Sequence, residues 1–402
     1  MNILFLTLVN IKGFEEKQNI YSDLCRELVS RGHKVYIVCP DELGSGEGFA
    51  PYGESGGILR VNTGKVQKTS LIKKGIATLL FGYRFKRAIR RHLADVRFDL
   101  VLYSTPPITL YSIVKYIKRR DKAMTYLLLK DIFPQNAIDI GIMSKHGIKA
   151  PIYYYFRWIE KKLYAISDRI GCMSAANVEY LKKQDPEIPD YRIHISPNSV
   201  EPSFDCLSAN KKREIREKYG LPTDKKIFIY GGNIGKPQGV PFIVECLNAV
   251  SDVDNCHFVV CGTGTELPLL EAHKQDNFTL IKGLPRDEYE RFVGSCDVGL
   301  IFLDFRFTIP NFPSRLLSYM QKGMPVLSCT DTATDIGAVV EQGGFGISCP
   351  SNDSDAFKES VMDILQRDFD EMSKNAKDYL CANYTVSQSA DIILKNYAEV
   401  KK

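Results

Sequence analysis

Residues 226–264 read KIFIYGGNIGKPQGVPFIVECLNAVSDVDNCHFVVCGTG. The opening KIFIY is a short run of β-branched and aromatic residues, the pattern of a strand buried on both faces. Four glycines follow within 231–239, and then 241–250 carries apolar residues at helical spacing. Residues 257–261 (HFVVC) form a second apolar run, closed by Gly262 and Gly264. Strand, glycine loop, helix, strand describes a parallel βαβ unit.

The front of the chain repeats this plan. Residues 3–9 read as a strand, a polar loop with Gly13 follows, and 20–31 has a helical period that Gly32 ends. KVYIVC at 34–39 is the next strand. Further strands are expected at 100–103, 124–129, 169–173, 278–281, 298–302 and 325–329. The fold class is therefore α/β, with two Rossmann-like, doubly wound domains over 1–200 and 201–385. They join near 198–221, where Pro202, Pro222 and a run of charge interrupt the pattern. The last helix, within 386–402, is a candidate to cross back to the N-terminal domain. Open parallel sheets bind ligands at the carboxyl ends of their strands, so a cleft between the two domains is the expected site.

Composition narrows the function classes. The chain has 402 residues, 44% hydrophobic and 25% charged, which excludes disorder as its main state. No apolar run approaches the ~18 residues of a membrane span. The first residues lack a basic leader and a small-residue cleavage site, so they are expected to be a strand and not a signal peptide. Eleven cysteines without a C-x-x-C pair, and six histidines without ligand spacing, argue against a disulfide framework and a metal site. A reducing, cytoplasmic location is expected.

Charge is distributed unevenly. Residues 1–200 hold 31 Lys and Arg against 19 acids, whereas 201–402 hold 22 against 29. Residues 55–94 contain no acid at all. Within this basic patch, 60–91, Lys73, Lys74, Arg84, Arg87, Arg90 and Arg91 are interleaved with Leu71, Ile72, Leu80, Phe81 and Tyr83. That mixture suits an anionic membrane surface; a solvated helix face over a core-facing stripe is the other reading. Nucleic acid is not expected as a partner, because no binding module is present and the basic bias stops at one half.

Three segments carry candidate ligand contacts. The loop YGGNIGKPQG offers Gly232, Asn233, Lys236 and Gln238, followed by a helix N-terminus whose N–H groups suit a phosphate. Gly262-Thr-Gly264 is a second loop of the same type. FPSRLLSYMQKGMPVLSC, 312–329, starts a helix at Pro313-Ser314, which puts Arg315 in its first turn beside the helix dipole. Each has a purely structural alternative, in tight packing or an ion pair.

At this point the order of the segments resembles the retaining glycosyltransferases of family four, which share the two-domain GT-B fold. The resemblance covers nearly the whole chain. LCRELVSRGHKVYIVCP is similar to the family's first unit, with the Gly13 loop before it. DRIGCMSAANVEYLKK with HISPNSVEPSF resembles the strand ending in a serine (Ser174) and the segment before the linker. VVCGTGTELPLLE resembles the family's second glycine turn, and LIKGLPRDEYERFVGSCDVGLIFL, with Gly283, the segment after it. PSRLLSYMQKGMPVLSC resembles the motif P-S-K-x-x-E-Y-M. The chain departs from the family where a Glu pair is usual, since those positions are Pro310 and Ser318. The usual Arg and Lys of the first phosphate loop fall on Asn233 and Gln238, leaving Lys236 and Arg315 as the nearby cations. A subgroup that builds surface polysaccharides, such as capsule or O-antigen, is the more similar.

YLLLKDIFPQNAIDIG at 126–141 resembles that subgroup's R-D-x-W-P segment and makes Lys130 and Asp131 candidate catalytic residues. Asp131 would accept or orient an acceptor hydroxyl, and Lys130 would offset charge; a helix cap is the structural alternative for Asp131. The resemblance implies transfer from a nucleoside-diphosphate sugar, UDP-linked by expectation, to a lipid-linked or saccharide acceptor. It also implies retention at the anomeric carbon and no metal or other cofactor, while the basic patch suggests peripheral association with the inner face of the cell membrane. The donor would be held by Gly13, Gly232, Asn233, Lys236, Gln238, Gly262, Gly264, Gly283, Pro313, Ser314, Arg315 and Ser318. A non-catalytic GT-B scaffold and a nucleotide-sugar 2-epimerase stay open as alternatives. A Rossmann dehydrogenase lacks its G-x-G-x-x-G after the first strand.

Overall fold

The computed structural model describes residues 1–15, 19–41, 47–63 and 71–402, with side chains for all of these but 71–80. The chain divides into two compact units, Met1–Glu201 with Thr385–Lys402, and Pro202–Tyr384.

The first unit is built on eight strands: β1 (Asn2–Leu6), β2 (Lys34–Asp41), β3 (Gly48–Pro51), β4 (Gly56–Asn62), β5 (Leu100–Ser104), β6 (Met124–Leu129), β7 (Arg169–Cys172) and β8 (Ile193–Ile195). Their spatial order is β3-β4-β2-β1-β5-β6-β7-β8. Every pair is parallel except β3 with β4. β1, β5 and β6 are almost wholly buried, as their unbroken apolar runs require.

The strands at 48–51 and 56–62 were absent from the sequence expectation because their glycines mask them. A Cβ on Gly56 would stand 2.1 Å from the Val35 carbonyl oxygen, and one on Gly57 would stand 2.4 Å from that of Ala50. Strand propensity discounts glycine, yet here only glycine lets the neighbouring backbones approach.

The helix Ile20–Ser30 is capped by Asn19, whose side chain accepts from the Tyr21 and Ser22 amides. Its buried face, with Tyr21, Leu24, Cys25 and Leu28, joins β1, β2 and β5 in one core. The C-terminal helix Val386–Lys401 completes that core with Ala390 and Ile393. Thr385 and Gln388 form its capping box, Val386 N donates to the Val200 carbonyl (3.1 Å), and Arg31 pairs with Asp391 (2.5 Å).

The second unit carries β9 (Lys226–Asn233), β10 (Cys256–Thr263), β11 (Phe278–Ile281), β12 (Val298–Phe302), β13 (Val326–Thr330) and β14 (Gly346–Pro350). All pairs are parallel, in the order β11-β10-β9-β12-β13-β14. Its core gathers aromatic residues of these strands, among them Phe228, Phe258 and Phe302, with Phe242 and Phe357 from the flanking helices. All eleven cysteines are free; Cys329 and Cys349 face each other across β13 and β14, with sulfurs 3.0 Å apart.

Ile393→Ala should destabilise the first unit by about 2–5 kcal/mol, as buried Ile truncations do. Hydrogen exchange should then speed up in β1 and β2 while β9 to β13 keep their protection; equal loss in both units would refute this placement of the helix.

Candidate functional site

In the second unit the strand order reverses at β9, which lies between β10 and β12. Ligands of open parallel sheets bind outside such a switch point. The sequence placed a loop from residue 231. The ladder instead runs three residues further, pairing Gly231 with Cys261, Gly232 with Gly262 and Asn233 with Thr263.

That extension explains Gly262 and Gly264. A Cβ on Gly262 would lie 1.8 Å from the Gly232 carbonyl oxygen, and one on Gly264 would lie 1.9 Å from that of Ile234. Backbone contact with β9 and its continuation accounts for both glycines without any ligand. Gly283 follows β11 at φ +77°, and its Cβ would meet the Thr263 methyl at 3.0 Å. Gly232 differs. It is exposed, has φ +129°, and the Arg315 guanidinium lies 3.2 Å from where its Cβ would stand.

The remainder of the loop is held from within. Gln238 Oε1 accepts from Asn233 Nδ2 (3.0 Å) and from the Gly235 amide (3.2 Å), so these two side chains brace a short turn at Lys236–Gln238. Lys236 is exposed at its tip. Gly239, at φ +61°, starts the helix Val240–Ala249, whose first turn has no side-chain cap.

Arg315 opens the helix Arg315–Gln321, after Pro313 and an exposed Ser314 that makes no side-chain cap. Its guanidinium carbon sits 4.2 Å from the centre of the Tyr230 ring. Burial works against the charge, but Tyr230, Tyr319 and Tyr289 around it favour the cation and hold its pKa above the ordinary value. No carboxylate pairs with it among the described residues, and Nη1 is buried without a hydrogen-bond partner. Ser318, one turn along, has its hydroxyl buried and unpartnered as well. Buried polar atoms are nearly always satisfied, so these two on one helix face stand out.

The ladder between β9 and β12 stops at Ile229 and Gly299. Just beyond it the Tyr319 hydroxyl lies within reach of the Ile229 and Leu300 carbonyls (3.1 and 3.2 Å). Tyr289 packs its hydroxyl where a Cβ on Gly231 would be. Sequence reading missed these tyrosines, because nothing in their spacing distinguishes them from core aromatics.

In the first unit, Lys130 and Asp131 follow β6. Thr105 Oγ1 accepts from both of their amides, at 3.1 and 3.3 Å. Lys130 Nζ reaches the Ser196 carbonyl (3.3 Å) and lines a small pocket with Asn198 and Ser199. Burial lowers its pKa to about 7. Burial likewise raises Asp131 to about 6, against the pull of Asn136, whose Nδ2 donates to both carboxylate oxygens (2.8 and 3.0 Å). Asp131 does not cap a helix: the next one, Gln135–Asp139, starts after Pro134 with no side-chain cap. Ser174 does cap one, accepting from the Asn177 amide. Gly13 belongs to the loop after β1, where a Cβ would find its nearest neighbour only at 3.9 Å, so no steric demand fixes it.

On the helix Leu71–His92, Arg87, Arg90 and Arg91 are exposed. Arg84 leaves the expected patch, since its guanidinium is half-buried and donates to the Thr63 carbonyl. Lys65 and Lys68 lie outside the described residues, as do the side chains of Lys73 and Lys74. Among the described residues no helix is long and apolar enough to cross a membrane, and no three His, Cys, Asp or Glu side chains converge as metal ligands.

A doubly wound, largely parallel sheet in each of two units is the architecture of the GT-B fold. The family model "Glycosyltransferase Family 4" matches residues 19–204 and "Glycosyl transferases group 1" matches 211–380, so the chain belongs to the family-four glycosyltransferases. The chain is similar to a probable glycosyltransferase, WbjE, of Pseudomonas aeruginosa, at 24% identity over 79% of this chain and 78% of that one. Among solved structures, sucrose-phosphate synthase of Thermosynechococcus elongatus shares the fold with a TM-score of 0.73 at 14% identity, covering 99% and 98% of the two chains. HepE of Anabaena, solved in complex with UDP, does so with a TM-score of 0.65 at 12% identity over 99% and 100%.

Gly264→Ala should cost several kcal/mol of stability, since its new methyl group meets backbone and not a movable side chain, whereas Gly13→Ala should stay within about 0.5 kcal/mol. Denaturant titration of both variants checks the contrast.

Proposed function

We propose that the protein transfers a hexosyl or N-acetylhexosaminyl unit from a nucleoside-diphosphate sugar to a lipid-linked or saccharide acceptor in the assembly of a surface polysaccharide. The observation that carries this is Arg315, whose buried Nη1 has no hydrogen-bond partner, beside Gly232, with the orphaned Ser318 hydroxyl one turn away. A diphosphate supplies the missing acceptors, and a ribose hydroxyl suits Ser318 where the family's usual Glu is absent. UDP is the nucleotide favoured, because the HepE fold relative is a UDP complex. The polysaccharide role, capsule or O-antigen, rests on the subgroup resemblance of GGNIGKPQG and PSRLLSYM.

As the bond between the anomeric carbon and the diphosphate oxygen breaks, charge grows on the leaving group. Arg315, Lys236 and loop amides offset it, and these cations do the work that a metal does elsewhere, so EDTA should leave the rate unchanged. The acceptor oxygen bonds to the anomeric carbon from the face the diphosphate leaves. Its proton passes to the departing phosphate oxygen, and the configuration is retained. Asp131 orients the acceptor hydroxyl, and Lys130 offsets negative charge near it. Exposed Arg87, Arg90 and Arg91 attach the protein to the anionic inner face of the cell membrane, where a lipid-linked acceptor resides.

The absent Glu pair favours one other reading, a donor-binding protein without turnover. Thermal stabilisation by a panel of nucleotide sugars, followed by transfer and hydrolysis assays on the one that binds, separates the two.

Arg315→Ala should weaken nucleoside-diphosphate binding about tenfold or more in calorimetry, as loss of a charged hydrogen bond does. Unchanged affinity would remove Arg315 from the site. The pH profile of transfer supplies a second test. Asp131 must be ionised and Lys130 protonated, so the rate should rise through a pH of about 6 and fall through about 7. Asp131→Asn should abolish the acid limb, and Lys130→Arg, which stays charged, the alkaline one.

A further inference from the structure

Fifteen large apolar side chains are exposed among the described residues, and six of them crowd into 142–158: Ile142, Ile148, Ile152, Tyr154, Tyr155 and Trp158. The helix Ala150–Ile166 turns Tyr153, Ile159, Leu163 and Tyr164 inward. Its opposite face would ordinarily be polar. Here that face carries Tyr154, Tyr155 and Trp158, at 59%, 44% and 52% exposure, and Ile152 is exposed at 54% in the helix's first turn. The short turn Gly147–Lys149 ahead of it lifts Ile148 clear of the protein, at 99% exposure. Six exposed apolar residues within seventeen positions, with the Tyr155 and Trp158 rings 6.3 Å apart, are a denser cluster than the scatter of single apolar residues normal on a monomer.

The charge around the patch says what covers it. Residues 142–166 contain Lys145, Lys149, Arg157, Lys161 and Lys162 against one acid, Glu160. Glu160 and Asp185, both buried, hold the Arg157 guanidinium at 2.5 and 2.6 Å, so neither these acids nor Arg157 adds charge to the outer surface. Lys161 pairs with Glu187 (3.0 Å), while Lys162 hangs over the Trp158 ring at 5.7 Å. Tyrosine, tryptophan and isoleucine tips within a ring of lysines match the lipid–water interface of an anionic bilayer. A second copy docked through the same face would bring two sets of cations together, and so fits less well. Helix Tyr111–Asp121, which carries Lys115 and an exposed Arg119, packs against this helix and against Leu71–His92.

We infer that the aromatic face of Ala150–Ile166, together with Ile148, inserts into the headgroup layer of an anionic membrane and is the protein's principal membrane contact. This rests on the membrane reading proposed above, but places the anchor two helices away from the arginine patch.

Trp158 is the only tryptophan of the chain and so reports on the contact directly. The intact protein is mixed with vesicles of phosphatidylcholine alone, or of phosphatidylcholine with phosphatidylglycerol, and with the same lipids brominated along one acyl chain. Emission should shift to the blue and be quenched by the brominated lipid, with the anionic vesicles only. Ile148→Ser with Tyr154→Ser, both at exposed positions, should lower vesicle partitioning about tenfold while leaving the melting temperature unchanged. If the protein sediments with anionic vesicles and Trp158 does not respond, this inference falls and the membrane reading stands on another surface. If the protein ignores both vesicles, both fall. A blue shift that follows protein concentration without lipid, with dimers in sedimentation velocity, would make the face a contact between copies and overturn the inference.

Discussion

A guanidinium set among three phenol rings, with no carboxylate pairing it among the described residues, is the constraint around which this part of the second unit is arranged. Such a charge is tolerable because Tyr230 stacks on it, Tyr289 and Tyr319 favour the cation, and Arg is never deprotonated in practice. The surrounding geometry follows. Gly231 must lack a side chain to admit Tyr289, Gly299 must lack one to admit the Tyr319 ring, and Gly232 at positive φ leaves the guanidinium open beside it.

The sequence carried the fold well where strands are apolar runs, as in β1, β5, β6 and β12, and where caps are explicit, as with Asn19 and Thr385. It missed β3, β4, the short β8, β14 and the end of β9, and at β3, β4 and β9 the reason is the same. Glycines there permit close backbone contact inside a sheet, while local pattern reading takes them as signs of a loop. The same ambiguity affected the site. Gly232 and Gly262 look alike in sequence, yet one faces Arg315 and the other faces a carbonyl oxygen of its neighbouring strand. Arg315 was legible because the helix start at Pro313-Ser314 fixes its place in the first turn. Its tyrosine surroundings were not, since they come from three separate elements.

Lys130 and Asp131 show how burial draws the pKa values of two ordinary residues toward neutral pH. Their ordinary pKa values lie more than six units apart. Packing at the end of β6 brings them to about 7 and about 6. Thr105 holds both amides and Asn136 both carboxylate oxygens, so the pair is fixed by neighbours that have no charge of their own.

The C-terminal helix belongs to the core laid down by β1, β2 and the helix Ile20–Ser30. During synthesis the ribosome therefore releases the first unit's sheet long before Ala390 and Ile393 exist to cover it. The second unit, Pro202–Tyr384, is contiguous in the chain and can close while that surface is still bare. What is translated first is thus finished last, and the interval is when a nascent chain most needs a chaperone's shelter.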